Sequence, residues 1–122
     1  MSAAQASEAV ERLIERLRAF RDARNWDQFH TAKDLAISIS VEAGELLELF
    51  QWRPDSAPAD DALAAAVADE AADVFLYLLL LSDKLGIDLL AAANRKIDRN
   101  EARFPAERAF GVAKPADESA KP

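Results

Sequence analysis

Apolar residues recur along this chain at helical rather than alternating spacing. Val10, Leu13, Ile14, Leu17 and Phe20 return every three or four residues, which predicts a helix from about Glu8 to Arg24. A short link, Asn25–His30, carries Trp26 and Phe29. Thr31, with Asp34 three residues on, resembles a capping box and opens a second helix that runs to about Trp52. Its apolar stripe is Leu35, Ile39, Leu46 and Leu49. The stretch Arg53–Asp60, with Pro54 and Pro58, reads as a loop. A third helix opens at Asp60 or Asp61 and reaches Leu85, with the stripe Leu63, Val67, Val74, Tyr77 and Leu81. Gly86 suits the left-handed stop that follows. Asp88 can cap a fourth helix, which Pro105 ends by Phe104. The expectation is therefore an all-α, four-helix bundle over residues 1–110, with a polar, disordered tail over 111–122.

Composition supports that reading. Alanine (27) and leucine (15) make up a third of the 122 residues, whereas Val, Ile and Thr together number 11. Small and straight side chains lose little rotamer freedom in a helix. The longest unbroken apolar run, Val74–Leu81, is far short of the roughly 20 residues a membrane span needs. One small chain cannot easily cover that run on every side, so the long second and third helices are expected to pack against another copy, as a homodimer or homotetramer. The first residues lack a signal peptide's basic start and apolar block, which points to the cytoplasm.

Charge and residue inventory narrow the chemistry. Asp and Glu number 22 against 15 Lys and Arg, a net charge of −7. Such a balance disfavours a nucleic-acid polymer as partner, since that grip needs a basic surface. There is no cysteine and only one histidine, His30. Thiolate chemistry and multi-histidine zinc sites are thereby excluded.

Two carboxylate pairs stand out. Glu42-Ala-Gly-Glu45 lies in the second helix and Glu70-Ala-Ala-Asp73 in the third. Each pair shares one helical face. Glu42 and Glu70 fall inside the apolar stripes, and Glu45 and Asp73 sit at the borders. A solvated Glu-x-x-Glu is common, but two pairs on facing apolar stripes would bury charge at a high cost. Either their pKa values rise or a cation joins them. An all-oxygen set favours Mg²⁺, or Mn²⁺, over Zn²⁺.

Several motifs in order carry a resemblance to a family. They are Arg24-Asn25-Trp26-Asp27-Gln28-Phe29-His30, Glu42-Ala43-Gly44-Glu45-Leu46 with Phe50-Gln51-Trp52, Asp73-Val74-Phe75-Leu76-Tyr77-Leu78, and Lys96-Ile97-Asp98-Arg99-Asn100 with Arg103-Phe104-Pro105. Together they resemble the MazG-like all-α nucleoside triphosphate pyrophosphohydrolases, and most of all their dCTP pyrophosphatase branch, over roughly residues 10–105. The resemblance implies that Glu42, Glu45, Glu70 and Asp73 hold Mg²⁺, which binds a nucleoside triphosphate. Hydrolysis between its α- and β-phosphates would give a monophosphate and pyrophosphate, cleansing the nucleotide pool. Glu45 is the candidate general base.

The resemblance also implies that Trp26 and Trp52 help enclose the base, with a subunit boundary as one place for that contact. Tyr77, one turn after Asp73, reads either as a hydroxyl in that pocket or as a core tyrosine, and His30 either as a structural residue or as a polar pocket wall. Lys96, Asn100 and Arg103 share one helical face suited to phosphate and sugar oxygens. That face reads equally as an ordinary solvated one. Two features depart from the family. Phe104 stands where the family commonly has tyrosine, and Asp69 adds a fifth carboxylate. Two other classes compete. A di-iron bundle pairs Glu with Glu-x-x-His motifs, which this chain lacks. A non-catalytic helical interaction module would tolerate neutral residues at Glu42 and Glu70.

Overall fold

The computed structural model describes residues 1–120 and is helical, with no strand among the described residues. The chain divides into two compact units, Met1–Ile87 and Asp88–Pro122.

In the first unit α1 spans Ala3–Ala23 and begins five residues before the expected start. Polar residues cause the early start. Ser2 Oγ accepts from the Gln5 amide at 3.1 Å, and Gln5 Oε1 accepts from the Ser2 amide at 2.7 Å, a reciprocal capping box. The chain leaves α1 through Asn25, whose φ of 53° is the left-handed conformation that asparagine tolerates better than most residues. A 3-10 turn, Asp27–Phe29, follows.

α2 spans Ala32–Glu48, capped by Thr31 Oγ1, which accepts from the Asp34 amide at 3.1 Å. It stops four residues short of Trp52. Beyond it the bonds shorten to i→i+3, with the Phe50 amide donating to Leu47 at 2.9 Å and the Arg53 amide to Phe50 at 3.0 Å. Pro54 bars Arg53 from the α region, so the helix could not have run past Trp52. The Arg53 guanidinium closes the loop by donating to the Pro58 carbonyl.

α3, Asp61–Lys84, is capped by Asp60, which accepts from the Leu63 amide at 2.8 Å, and ends at Gly86 with φ 66°. α2 packs along α3 most extensively and α1 less so. The core is thin. Leu35 and Leu79 are each 1% exposed, Leu80 and Ser82 nearly so, and no other described residue is fully buried. Ile37, Val41 and Leu47 on α2 and Phe75 on α3 remain substantially exposed. Thus the Val74–Leu81 run is covered only in part by its own chain.

In the second unit α4 spans Leu89–Arg103, with Asp88 accepting from the Ala91 amide at 3.0 Å. A short α5, Ala106–Ala109, follows Pro105 and was not expected from the sequence. One turn of four residues carries no periodicity to read. The described part of the segment after Gly111, expected to be disordered, folds back on α4 and α5. Arg103 Nε donates to Asp117 Oδ2 at 2.9 Å, and Arg108 pairs with Glu118 at 2.8 Å. Asp117 also accepts from the Ser119 amide at 3.0 Å, starting a 3-10 turn at Glu118–Ala120. Residues 121–122 lie outside the described residues. No helix among the described residues is long and apolar enough to cross a membrane.

Candidate functional site

The packing of α2 on α3 brings the two carboxylate pairs together. One oxygen each from Glu42, Glu45, Glu70 and Asp73 lies within 4.8 Å of all the others. Glu42 and Glu70 are half-buried, and Glu45 and Asp73 are exposed. The inner pair thus occupies the stripe positions and the outer pair the border.

Electrostatics makes this arrangement uneasy without a counterion. Proton sharing with Glu45 pushes the Glu42 carboxyl up to about 7, helped by desolvation and by the charges of Glu45, Asp73 and Glu70. Burial pushes Glu70 upward, with proton sharing with Glu45 and the charges of Glu45, Asp73 and Asp69 adding to it. Asp69 therefore acts on the cluster through its charge and is not one of the four converging oxygens. One oxygen of Glu42 and one of Glu70 are buried with no hydrogen-bond partner. Orphaned buried acceptors are rare in folded proteins. A divalent cation would satisfy both at once. The all-oxygen donor set fits a hard cation such as Mg²⁺ or Mn²⁺. His30 is not one of the four, so the quartet lacks the imidazole that a di-iron bundle uses.

Beside the quartet, in the same unit, lies a cavity of about 210 Å³. Its walls are Leu17, Phe20 and Arg21 of α1, Trp26 and His30 of the following link, and Asp73, Leu76, Tyr77 and Leu80 of α3. Trp26 meets Phe20 edge to face at 5.7 Å between ring centroids. The Arg24 guanidinium covers the Phe20 ring at 3.7 Å. His30 Nδ1 is buried without a partner. Asp73 belongs to both the quartet and the cavity.

The sequence candidates thus fall into three groups. Trp26, His30 and Tyr77 line the cavity. Trp52 does not; it lies in the turn after α2 and is 88% exposed. Lys96, Asn100 and Arg103 share α4 in the second unit, where Arg103 is engaged by Asp117 and lies 3.5 Å from the Asn100 amide oxygen. Leu17, Phe20, Arg21, Leu76 and Leu80 were missed as cavity walls. Helical periodicity marks an apolar face without revealing that two such faces leave a gap between them.

Comparison with known proteins agrees with this geometry. The pattern of the MazG-like family matches residues 37–118. The dCTP pyrophosphatase 1 of Bos taurus is 39% identical over 105 residues, which is 82% of this chain and 62% of that protein. That of Homo sapiens is 40% identical over 98 residues, 76% of this chain and 58% of that protein. A pyrophosphatase from Archaeoglobus fulgidus DSM 4304 superposes with a TM-score of 0.70 at 44% identity, covering 78% of this chain and 91% of that one. The chain belongs to the MazG-like family. It spans about three-fifths of the length of the curated relatives it matches.

Proposed function

We propose that the protein is a Mg²⁺-dependent nucleoside triphosphate pyrophosphohydrolase, converting a (d)NTP into its monophosphate and pyrophosphate. The observation that carries this reading is the double membership of Asp73. A carboxylate quartet suited to a cation and an aromatic-walled cavity suited to a base share one residue. A ligand with a flat ring at one end and a polyanion at the other fits that adjacency. The relatives named dCTP pyrophosphatase 1 support dCTP, or a modified pyrimidine dNTP, as the substrate. Nucleotide-pool sanitation in the cytoplasm is the corresponding role.

Each group has a task. Glu42, Glu45, Glu70 and Asp73 hold the cation. When bound, Mg²⁺ neutralises phosphate oxygens and makes a coordinated water more acidic. Glu45, exposed at the border of the quartet, accepts the proton of the attacking water. Trp26 offers a ring face or edge to the base, and stacking of this kind is worth about 1–3 kcal/mol. His30 and Tyr77 supply polar contacts in the cavity. Lys96, Asn100 and Arg103 meet phosphate and sugar oxygens, which requires Arg103 to exchange Asp117 for phosphate. Trp52, exposed on its own chain, serves a neighbouring subunit's base pocket in a homodimer or homotetramer. The exposed Ile37, Val41, Leu47 and Phe75 support that assembly.

The test is a panel of nucleoside triphosphates with Mg²⁺, followed by product analysis. Pyrophosphate and monophosphate are expected, with dCTP among the best substrates. Release of orthophosphate alone, or no turnover of any triphosphate, refutes the proposal.

A further inference from the structure

A second charged cluster stands next to the cavity. Arg21 is an α1 residue with its side chain only 15% exposed, and it forms part of the cavity wall. Its guanidinium is surrounded by carboxylates: Nε donates to Asp22 at 2.8 Å, and one terminal nitrogen lies 3.5 Å from Asp27 and 3.7 Å from Asp83. Asp27 is held from a second side by Lys84 of α3, whose Nζ donates to the same oxygen at 3.2 Å. Asp27 opens the 3-10 turn that has Trp26 immediately before it and His30 immediately after it. Backbone bonds join the same parts, since the Trp26 amide donates to the Arg21 carbonyl at 3.1 Å and the His30 amide to the Asp27 carbonyl at 3.0 Å.

We propose that Arg21 is a positioning residue that acts through Asp27: its stem walls the cavity while its charged head holds the Trp26–His30 turn against α1 and α3. Neither Arg21 nor Asp27 has a role in the hydrolysis proposed above. Asp83 does not depend on Arg21, because Arg18 already grips it with Nε at 3.0 and 3.1 Å from its two oxygens. Removing the Arg21 head therefore loosens the turn, which keeps Lys84 and the Trp26 amide bond to the residue 21 carbonyl, while α1 stays tied to α3. A looser turn lets the Trp26 ring move, widening the cavity and weakening its hold on a flat ring. The effect falls on substrate binding and leaves the carboxylate quartet untouched. Salt screens such part-exposed pairs, so added salt shrinks the difference between wild type and variants.

The test uses Arg21→Met, which keeps the stem, Arg21→Lys, which keeps a charge, and Asp27→Asn, at an exposed site. The kinetic arm rests on the pyrophosphohydrolase reading; the spectroscopic arm does not. In a Trp52→Phe background Trp26 is the sole tryptophan, since the chain has two. Arg21→Met and Asp27→Asn are each expected to make Trp26 more quenchable by acrylamide, with Arg21→Lys recovering most of the wild-type value. With Trp52 intact, Arg21→Met is expected to raise KM for dCTP about five- to tenfold with kcat held within about twofold. The double variant should match Asp27→Asn alone, because that substitution already cuts the pairs of Asp27 with both Arg21 and Lys84. Unchanged quenching in both variants overturns the proposal whether or not the protein turns over any nucleotide. So does a loss confined to kcat, or a fall in melting temperature with Trp26, 43% exposed in the wild type, no more quenchable than before. A wild type without turnover defeats the functional reading alone and leaves the quenching result to decide this one.

Discussion

α3 carries two carboxylate clusters of opposite character. Near its middle, Glu70 and Asp73 face Glu42 and Glu45, a group made of acids alone. Near its end, Asp83 sits between Arg18 and Arg21. In the first cluster Glu42 and Glu70 are pushed above the usual carboxylate range, by proton sharing with Glu45 and by burial. In the second, hydrogen bonding from the Arg18 guanidinium holds Asp83 below that range, against a smaller opposing effect of burial. Both clusters lie on the same helix, and both contain half-buried acids. The difference is the partner. Asp83 comes with its arginines, whereas Glu42 and Glu70 face only other acids.

The largest expected effect breaks the first cluster. Asp73→Ala or Glu45→Ala should lower pyrophosphate release by at least about a hundredfold, equivalent to about 2.7 kcal/mol, with circular dichroism unchanged. Next comes the response to a cation. Glu70→Gln should raise the melting temperature of metal-free protein and weaken the upward shift that Mg²⁺ gives the wild type. A melt in chelator that shows Glu70→Gln to be the less stable form would contradict the strained-cluster reading.

Proton linkage gives the two clusters opposite pH profiles. Glu42 titrates in the folded chain near 7, above its ordinary 4.5. The stability contributed by its protonated form is full below about 4.5 and is lost as pH rises through about 7. Metal-free protein should therefore melt lower at about pH 8 than at about pH 5.5, and saturating Mg²⁺ should reduce or reverse that trend. Asp83 behaves conversely, since its pKa is depressed. Its contribution is present above its ordinary 3.8 and disappears as pH falls through its lower folded value. Asp83→Asn should accordingly cost about 1–2 kcal/mol near neutrality and little in strong acid, read by denaturant melts at both pH values.

The smallest effect sharpens the comparison from a neutral position. A Cβ built at Gly44, between the two α2 carboxylates, meets nothing within 4 Å. Gly44→Ala should stabilise the isolated chain by about 0.5–1 kcal/mol, because glycine is a poor residue inside a helix. If Gly44 faces another subunit in an assembly, the same change should shift sedimentation toward smaller species.

How much of this was legible in the sequence follows from the range of each interaction. The four long helices could be read because their stripes and caps are local. Thr31, Asp60 and Asp88 accept the amide bonds expected of caps. The carboxylate quartet was legible because two charged pairs interrupted two apolar stripes. The early start of α1 was readable in Ser2 and Gln5 but masked by an alanine-rich, weakly periodic opening. The Arg18–Asp83 pair joins positions 65 residues apart, and no spacing rule announces it. Trp52 shows a different limit, for a tryptophan's place in a motif does not reveal whether its own chain buries it. Asp117 shows a third, since its pairing with Arg103 follows from no spacing rule.

The thin core has a consequence for motion. Leu35, Leu79 and Leu80, the fully buried apolar side chains, lie toward one end of the helix pair. The carboxylates lie roughly two helical turns away along each helix, where side chains are half-buried at best. Rigidity should therefore fall along α2 and α3 from the leucines toward the acids. Amide hydrogens around Leu79–Ser82 should be among the slowest to exchange with solvent, and those around Glu42–Leu47 markedly faster. A divalent cation that bridges the two helices would slow exchange around Glu42–Leu47 most, so the ligand would complete the stiffness that the leucines begin.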